Sequence, residues 1–395
     1  MHRQKKSAWL LVLLSLSLML SGCSFGGSSQ KTVVKKSNGS SQTANIIPGQ
    51  SSKDYQSLQP QADNSARGLI NFGVDNRVDI DQMETGLMNL SKSVYSPDDY
   101  VFQAGQYLTE NDIDHMLYRQ GQEKNKTGKY ANLPGLNPPL GAGADAVAQA
   151  QSSPKYMNYV LEQDYMKKSG SSYRLAGLSL AISLNSVYSD KIIDANGNIN
   201  PIEVTLDRPT VEAWGKSVAA KVIQRVRTVS GLENVPILLT LYMTAAPSSL
   251  IPGDFFAQTQ VSSGSAVVGD WKAINDQHVL FPSDAATGSF KADAEKFDQF
   301  KSYVQSYSPN FIGVIGKAYY QDGNMADLTI NINIQFTDET EVIGLTNYIA
   351  SIVNNRFGFS RDVPVHIYIT SNSVQEALIE RTSSMDNAYV SIYRH

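Results

Sequence analysis

Residues 311–336, FIGVIGKAYYQDGNMADLTININIQF, decide the fold: two strand-like runs, 311–320 and 328–336, flank Asp322-Gly323. That dipeptide favours the positive backbone angles of a hairpin turn, so the segment predicts a pair of antiparallel strands. Downstream, Val342, Leu345, Ile349 and Val353 recur at helical spacing, and Val363-Pro364-Val365-His366-Ile367-Tyr368-Ile369-Thr370 then alternates as a strand. A similar succession lies upstream. The alternation over 175–187 meets 202–206 across a turn region containing Asn196-Gly197, and a helix pattern follows at Val211, Trp214, Val218, Val222 and Val226. Val235-Pro236-Ile237-Leu238-Leu239-Thr240-Leu241-Tyr242-Met243-Thr244 then echoes the strand at Val363. Both stretches read strand, hairpin turn, strand, helix, strand. The expectation is an α+β fold of mainly antiparallel sheets with helices packed on one face, built from a duplicated unit.

Working outward, the chain divides into a signal peptide at 1–22, a flexible linker at 23–65, an N-terminal helical and loop region packed on the body at 66–170, and two α+β units at 171–285 and 286–395. Ile80, Met83, Leu87 and Leu90 give a helix over 79–93, and Thr109 with Asp112 opens a second one leading into Ile113, Met116 and Leu117. From 121 to 153 the composition turns to Gly, Pro, Asn, Gln and Ala, including Leu133-Pro134-Gly135-Leu136-Asn137-Pro138-Pro139, which predicts a long loop. Phe290, Phe297, Phe300 and Val304 mark a helix joining the units.

The linker is rich in Ser, Gln, Gly, Asn and Lys and too poor in aromatic residues to offset its ordering entropy. As a coil of about 40 residues it would reach roughly 35 Å. Ahead of it, His2, Arg3, Lys5 and Lys6 form a basic head and 8–20 an apolar run, the layout of a secretory signal. The run is shorter than the ~20 apolar residues a membrane helix needs. It ends in Leu20-Ser21-Gly22-Cys23, which resembles the bacterial lipobox. There Leu20, Ser21 and Gly22 fit the signal peptidase, and the Cys23 sulfur accepts diacylglycerol. Two acyl chains are enough for stable anchoring where one is marginal. The expected partners are therefore the membrane, through diacylglycerol on Cys23, and two maturation enzymes, prolipoprotein diacylglyceryl transferase and lipoprotein signal peptidase. The expected location is the extracellular face of the cell membrane.

A formal charge of −4 with both signs scattered supplies no basic stripe for phosphates, so nucleic acid is not an expected partner. One cysteine excludes an internal disulfide and thiolate-built zinc or iron–sulfur sites.

The lipobox, Gly73-Val74-Asp75-Asn76-Arg77-Val78-Asp79, Tyr107-Leu108-Thr109 after Phe102-Gln103-Ala104-Gly105-Gln106, and Gly135-Leu136-Asn137-Pro138 together resemble the CamS family of Gram-positive lipoproteins, over most of the chain. The resemblance implies that the leader, trimmed to a peptide within about 14–22, yields a sex pheromone sensed by conjugation-competent bacteria. It assigns no activity to the mature body.

Ser152-Ser153-Pro154-Lys155 and Lys126-Thr127-Gly128 match SxxK and KTG, but in reversed order and beside an irregular loop. Gly141-Ala142-Gly143 with Ala146 follows prolines rather than a strand. Asp194, Asn196 and Asn198 have calcium-loop spacing, yet Ile199 and Thr205 stand where glycine and glutamate are needed, so a hairpin turn explains them better. The histidines form no HExxH pair. Glu110, Asp112 and Asp114 suit the positive end of a helix. No catalytic, metal or cofactor residue is assigned. Twenty tyrosines with many amides suit a binding face for a cell-wall or peptide ligand. The alternatives are a hydrolase acting on wall or peptide, and the solute-binding lipoprotein of a transporter.

Overall fold

A computed structural model describes residues 30–35, 40–49, 51, 53–59, 65–123, 128–130, 133–194, 196–307, 312–335 and 338–394. Leu20, Ser21, Gly22 and Cys23 lie outside them. The fold is mixed α+β, and its first feature is a closed ring of strands. β1 (Gln30–Lys35), β2 (Ser41–Ile47), β3 (Ser57–Gln59), β4 (Val101–Ala104), β5 (Met157–Ser169) and β6 (Ser172–Leu184) pair in that order, and β1 closes back on β6. The six-stranded barrel encloses Val34, Ala44, Leu58, Val101, Met166 and Tyr173.

Three of these strands lie in the stretch expected to be a linker, and that expectation is corrected for the residues described. The polar strands β1 to β3 contribute little apolar area, but pairing satisfies their backbone groups and each places one small side chain in the barrel: Val34, Ala44 and Leu58. The 66–170 region likewise contains sheet, β4 and β5, as well as helices.

β6 is long enough to serve two partners on one edge. Its start pairs with β1, and residues 178–184 pair in parallel with β9 (Ile237–Met243). β10 (Asp254–Val261) and β11 (Lys272–Ala273) extend the sheet to nine strands. Its middle is buried on both faces. Asn76 caps α1 (Arg77–Ser91), which lies over Ser179 and Tyr242, whereas α4 (Arg208–Val226) packs on Leu184 and Leu241. This differs from helices on one face, and it explains the uninterrupted burial of residues 178–184.

The hairpin of β7 (Val187–Ile193) and β8 (Ile199–Thr205) forms a separate two-stranded sheet. The runs over 175–187 and 202–206 therefore do not pair across Asn196-Gly197; β6 pairs with β5 through the turn at Gly170, which has positive φ. The loop expected over 121–153 is partly ordered into a helix, α3 (Ala146–Ser152), capped by Asp145. Before it, α2 (Glu110–Leu117) begins at Thr109 in a reciprocal cap with Asp112.

A second core begins at β12 (Asp276–Phe281), earlier than the boundary expected at 285. β12, β13 (Ile312–Gln321), β14 (Asn324–Ile334), β15 (Val365–Ser371), β16 (Val374–Arg381) and β17 (Tyr389–Ile392) form a six-stranded sheet, with β14 and β15 parallel. Asp322 and Gly323 both have positive φ in the β13–β14 turn. Burial alternates along β13 and β15, and α5 (Lys291–Gln305) and α6 (Glu339–Asn355) bury Phe297, Phe300, Leu345 and Ile349 in this core.

Candidate functional site

The three internal stretches that carried the family resemblance fold as clamps on backbone. Asp79, at the first turn of α1, is buried and accepts from the Tyr242 hydroxyl at 2.5 Å and from the amides of Ala245 at 3.1 Å and Gly253 at 2.7 Å. Burial nevertheless raises its pKa. Asn137 receives the amides of Tyr156 and Met157 and donates to the carbonyls of Leu117 and Met157. The 105–108 loop aims the amides of Tyr107 and Leu108 at Glu162 and that of Gln106 at Asp164, two acids on one face of β5. Burial raises the Glu162 pKa. These residues position elements, and Gly105 and Glu162 also line a hollow of about 320 Å³.

Ser152 donates to the carbonyls of Ala142 and Gln149, and Lys155 lies 4.0 Å from Asp190, so the two do not form a serine–lysine pair. Lys126 and Thr127 lie outside the described residues. Asp194 collects the amides of Asn196 and Asn198 and the Asn198 side chain in the β7–β8 turn, which lowers its pKa. Within the described part of the 121–153 loop, Asn137 ties the chain to β5.

A different place brings polar side chains together. A cleft of about 420 Å³ opens where α1 faces the second sheet. Gln82, Gly86 and Asn89 lie on one side of α1, at spacings of four and three. Gly86 is required there, because a Cβ would stand 2.7 Å from the Phe255 ring. The opposite wall is a row across strands: His278 is level with Tyr319, and Tyr319 with Asp327.

His278 Nδ1 lies 2.7 Å from Asp254 Oδ1 on β10, a contact that joins the two sheets, and its ring stacks on Tyr319 at 4.8 Å. The Tyr319 hydroxyl donates to Asp276 at 2.5 Å and receives Gln321 at 3.1 Å. Burial, with the charges of Asp254 and Asp322 nearby, raises the Asp276 pKa, and burial beside Asp276 raises that of Tyr319. Farther along the face, His366 Nε2 is 3.4 Å from Asp327, a bond that raises the imidazole pKa.

With Nδ1 engaged by Asp254, Nε2 is the ring nitrogen that His278 has left for a ligand. The cleft thus offers an imidazole nitrogen, two carboxyl groups and three amide side chains, and among the described residues no Lys or Arg lines it. The described residues that line it include no serine, threonine or cysteine nucleophile. Among the described residues, no three His, Cys, Asp or Glu side chains converge as a metal site. Sequence reasoning missed this cleft. Asp276 and His278, two apart on a strand, were the available signal, but nothing in the sequence places Asp254 or Gln82 beside them.

The family model described as CamS sex pheromone cAM373 precursor matches residues 62–387. Among solved structures, the chain is similar to a sex pheromone precursor from Lactobacillus salivarius subsp. salivarius, at 27% identity and a TM-score of 0.77, covering 89% of this chain and 99% of that one. It is also similar to the C-terminal domain of the sex pheromone staph-cAM373 precursor from Staphylococcus aureus, at 27% identity and a TM-score of 0.66, covering 82% and 99%. No curated protein matches the chain. Among the described residues no helix is long and apolar enough to cross a membrane.

Proposed function

The chain belongs to the CamS sex pheromone cAM373 precursor family, and from that premise we propose a lipoprotein with two products. Its leader is cut before Cys23 and trimmed to a pheromone-like peptide; its body stays at the outer face of the membrane, held by diacylglycerol on Cys23. The observation that carries the anchoring is the position of the only cysteine, at the end of the apolar run behind Leu20-Ser21-Gly22. Mass spectrometry of the N-terminal peptide from native membranes is expected to find acylated Cys23, and Cys23→Ala to release the protein or leave it unprocessed. A Cys23→Ala chain that is still cleaved and membrane-bound would refute the anchor. Synthetic peptides from 14–22 are expected to induce conjugation in a responder strain, and silence across all trims would end the pheromone reading.

The body binds a ligand in the cleft between α1 and the second sheet. Amides and carboxyl groups without an opposing Lys or Arg suit a neutral or amine-bearing wall peptide or glycan rather than an anionic polymer. Titration calorimetry with wall fragments is expected to give binding that Asp276→Asn and His278→Ala each weaken about tenfold, the loss of one hydrogen-bonded polar contact.

The body is also read as a duplicated unit. β5-β6-α4-β9-β10 and β13-β14-α6-β15-β16 run in one order, each with a parallel crossover. The Leu178 amide meets the Pro236 carbonyl at 3.1 Å, and the Leu328 amide meets that of Pro364 at 3.0 Å. These matched bonds support the likeness of the two Val-Pro strands.

A further inference from the structure

The place where the chain enters the barrel has a consequence for how the body meets the membrane. β1 begins at Gln30, so only residues 24–29 lie between Cys23 and the first strand. Fully extended, that stretch reaches about 25 Å, and as a coil about 15 Å. An anchor on Cys23 therefore keeps the β1 end of the barrel close to the headgroups.

Registers identify what else is at that end. β1 runs parallel to β6, with Val33 level with Ser172, so Gln30 lies on the side of the β5–β6 turn at 169–172. Lys167 and Lys168 lead into that turn, and Arg174, opposite Lys167, leads out of it. Lys31 and Lys35 stand on β1 itself. All five cations are exposed, and none is ion-paired among the described residues. Lys167 rests on the Tyr100 ring at 4.3 Å. The acids nearby are fewer: Asp98 and Asp99 share a hollow with Lys168, and Asp54 is paired with Lys92 at 3.4 Å. Ile47, 40% exposed, adds an apolar group beside Ile46, which is level with Gln30.

We infer that the barrel end bearing Lys31, Lys35, Lys167, Lys168 and Arg174 is a docking surface for anionic phospholipid, pressed against the bilayer by the short leash to Cys23. The inference rests on the anchoring proposed above. Charge complementarity and leash length select the bilayer: its surface potential attracts basic groups only within about a Debye length, roughly 8 Å at physiological salt, and the leash delivers this end to that range. The lipid anchor supplies the affinity, and the basic end fixes which way the body faces.

The test uses full-length, matured protein in vesicles of phosphatidylglycerol or of phosphatidylcholine. A dye is placed on Ser171→Cys, in the turn, or on Glu295→Cys, on α5 of the second core, and quenched by a headgroup-labelled lipid. The expected result is several-fold stronger quenching at 171 than at 295 in phosphatidylglycerol. The excess should shrink in phosphatidylcholine, in 0.5 M salt, and in a Lys167→Glu, Lys168→Glu, Arg174→Glu variant that stays anchored. Equal quenching at the two sites, or an excess indifferent to salt and charge reversal, overturns the docking surface. The mass of Cys23 in the same sample separates the two ideas: acylated Cys23 with equal quenching sinks the docking alone, whereas unmodified Cys23 sinks the anchor and the docking with it.

Discussion

Asp79 and His115 are buried titratable groups whose surroundings oppose their charged forms, burial being the leading cause in both. Asp79 holds the Tyr242 hydroxyl and the Ala245 and Gly253 amides, yet burial outweighs those bonds and raises its pKa. Asp79→Ala leaves three donors without an acceptor and is expected to cost about 3 kcal/mol in urea unfolding; Asp79→Asn keeps an acceptor and should cost less. His115 lies on α2 against Arg225, which can only donate, so Nδ1 accepts at 2.8 Å and the imidazole is neutral. Burial first, and then the Arg225 charge, lower its pKa. A folded-state histidine pKa below the unfolded value of about 6.5 makes the unfolded chain the better proton binder. Its contribution is thus complete above that value and is lost as the pH falls through the folded pKa. The urea midpoint should drop between pH 7.5 and 5, and His115→Leu should flatten that part of the profile; an unchanged slope would contradict the assignment.

At the scale of elements, what could be read in advance followed period and turn chemistry. The second sheet was legible because one face of each strand is buried, so β13 and β15 alternate, and because Asp322-Gly323 marks their first turn. β5 was missed because it is buried on both faces, and its acids Glu162 and Asp164 look like surface residues until the 105–108 loop supplies their donors. β1 to β3 were missed because their composition is that of a linker; only pairing with each other and with β4 and β6 makes them strands. Two predictions follow from such long-range ties. Asn137→Ala removes four hydrogen bonds that tie the 133–139 segment to Leu117 at the end of α2 and to Tyr156 and Met157 at the start of β5, and is expected to cost about 3 kcal/mol and to speed amide exchange at Tyr156 and Met157. Val34→Asp puts a charge inside the barrel and should expose 30–59 to proteolysis while leaving the second sheet protected.

Among the described residues the two largest cores meet at a polar seam. One runs from Ala66 to Ile274 and the other from Val279 to Ile379, so the chain changes core within a few residues, between β11 and β12. Composition hides that change, since β12 opens with Asp276-Gln277-His278 and reads as the tail of a loop. Two of these residues line the seam: His278 reaches back to Asp254, and Asp276 holds Tyr319. A site at this junction could not be read from the chain, because its walls come from residues about two hundred positions apart. Separate cores should also melt separately. Phe297→Ala empties the space against Gly316 in the second core and is expected to cost about 3–5 kcal/mol there, lowering one calorimetric transition while the other moves little. His278→Ala, which cuts the tie to Asp254, should widen the gap between the two transitions further. A single cooperative transition shifted as a whole by Phe297→Ala would mean that the seam transmits the stability of one core to the other, and that the cleft is a rigid joint.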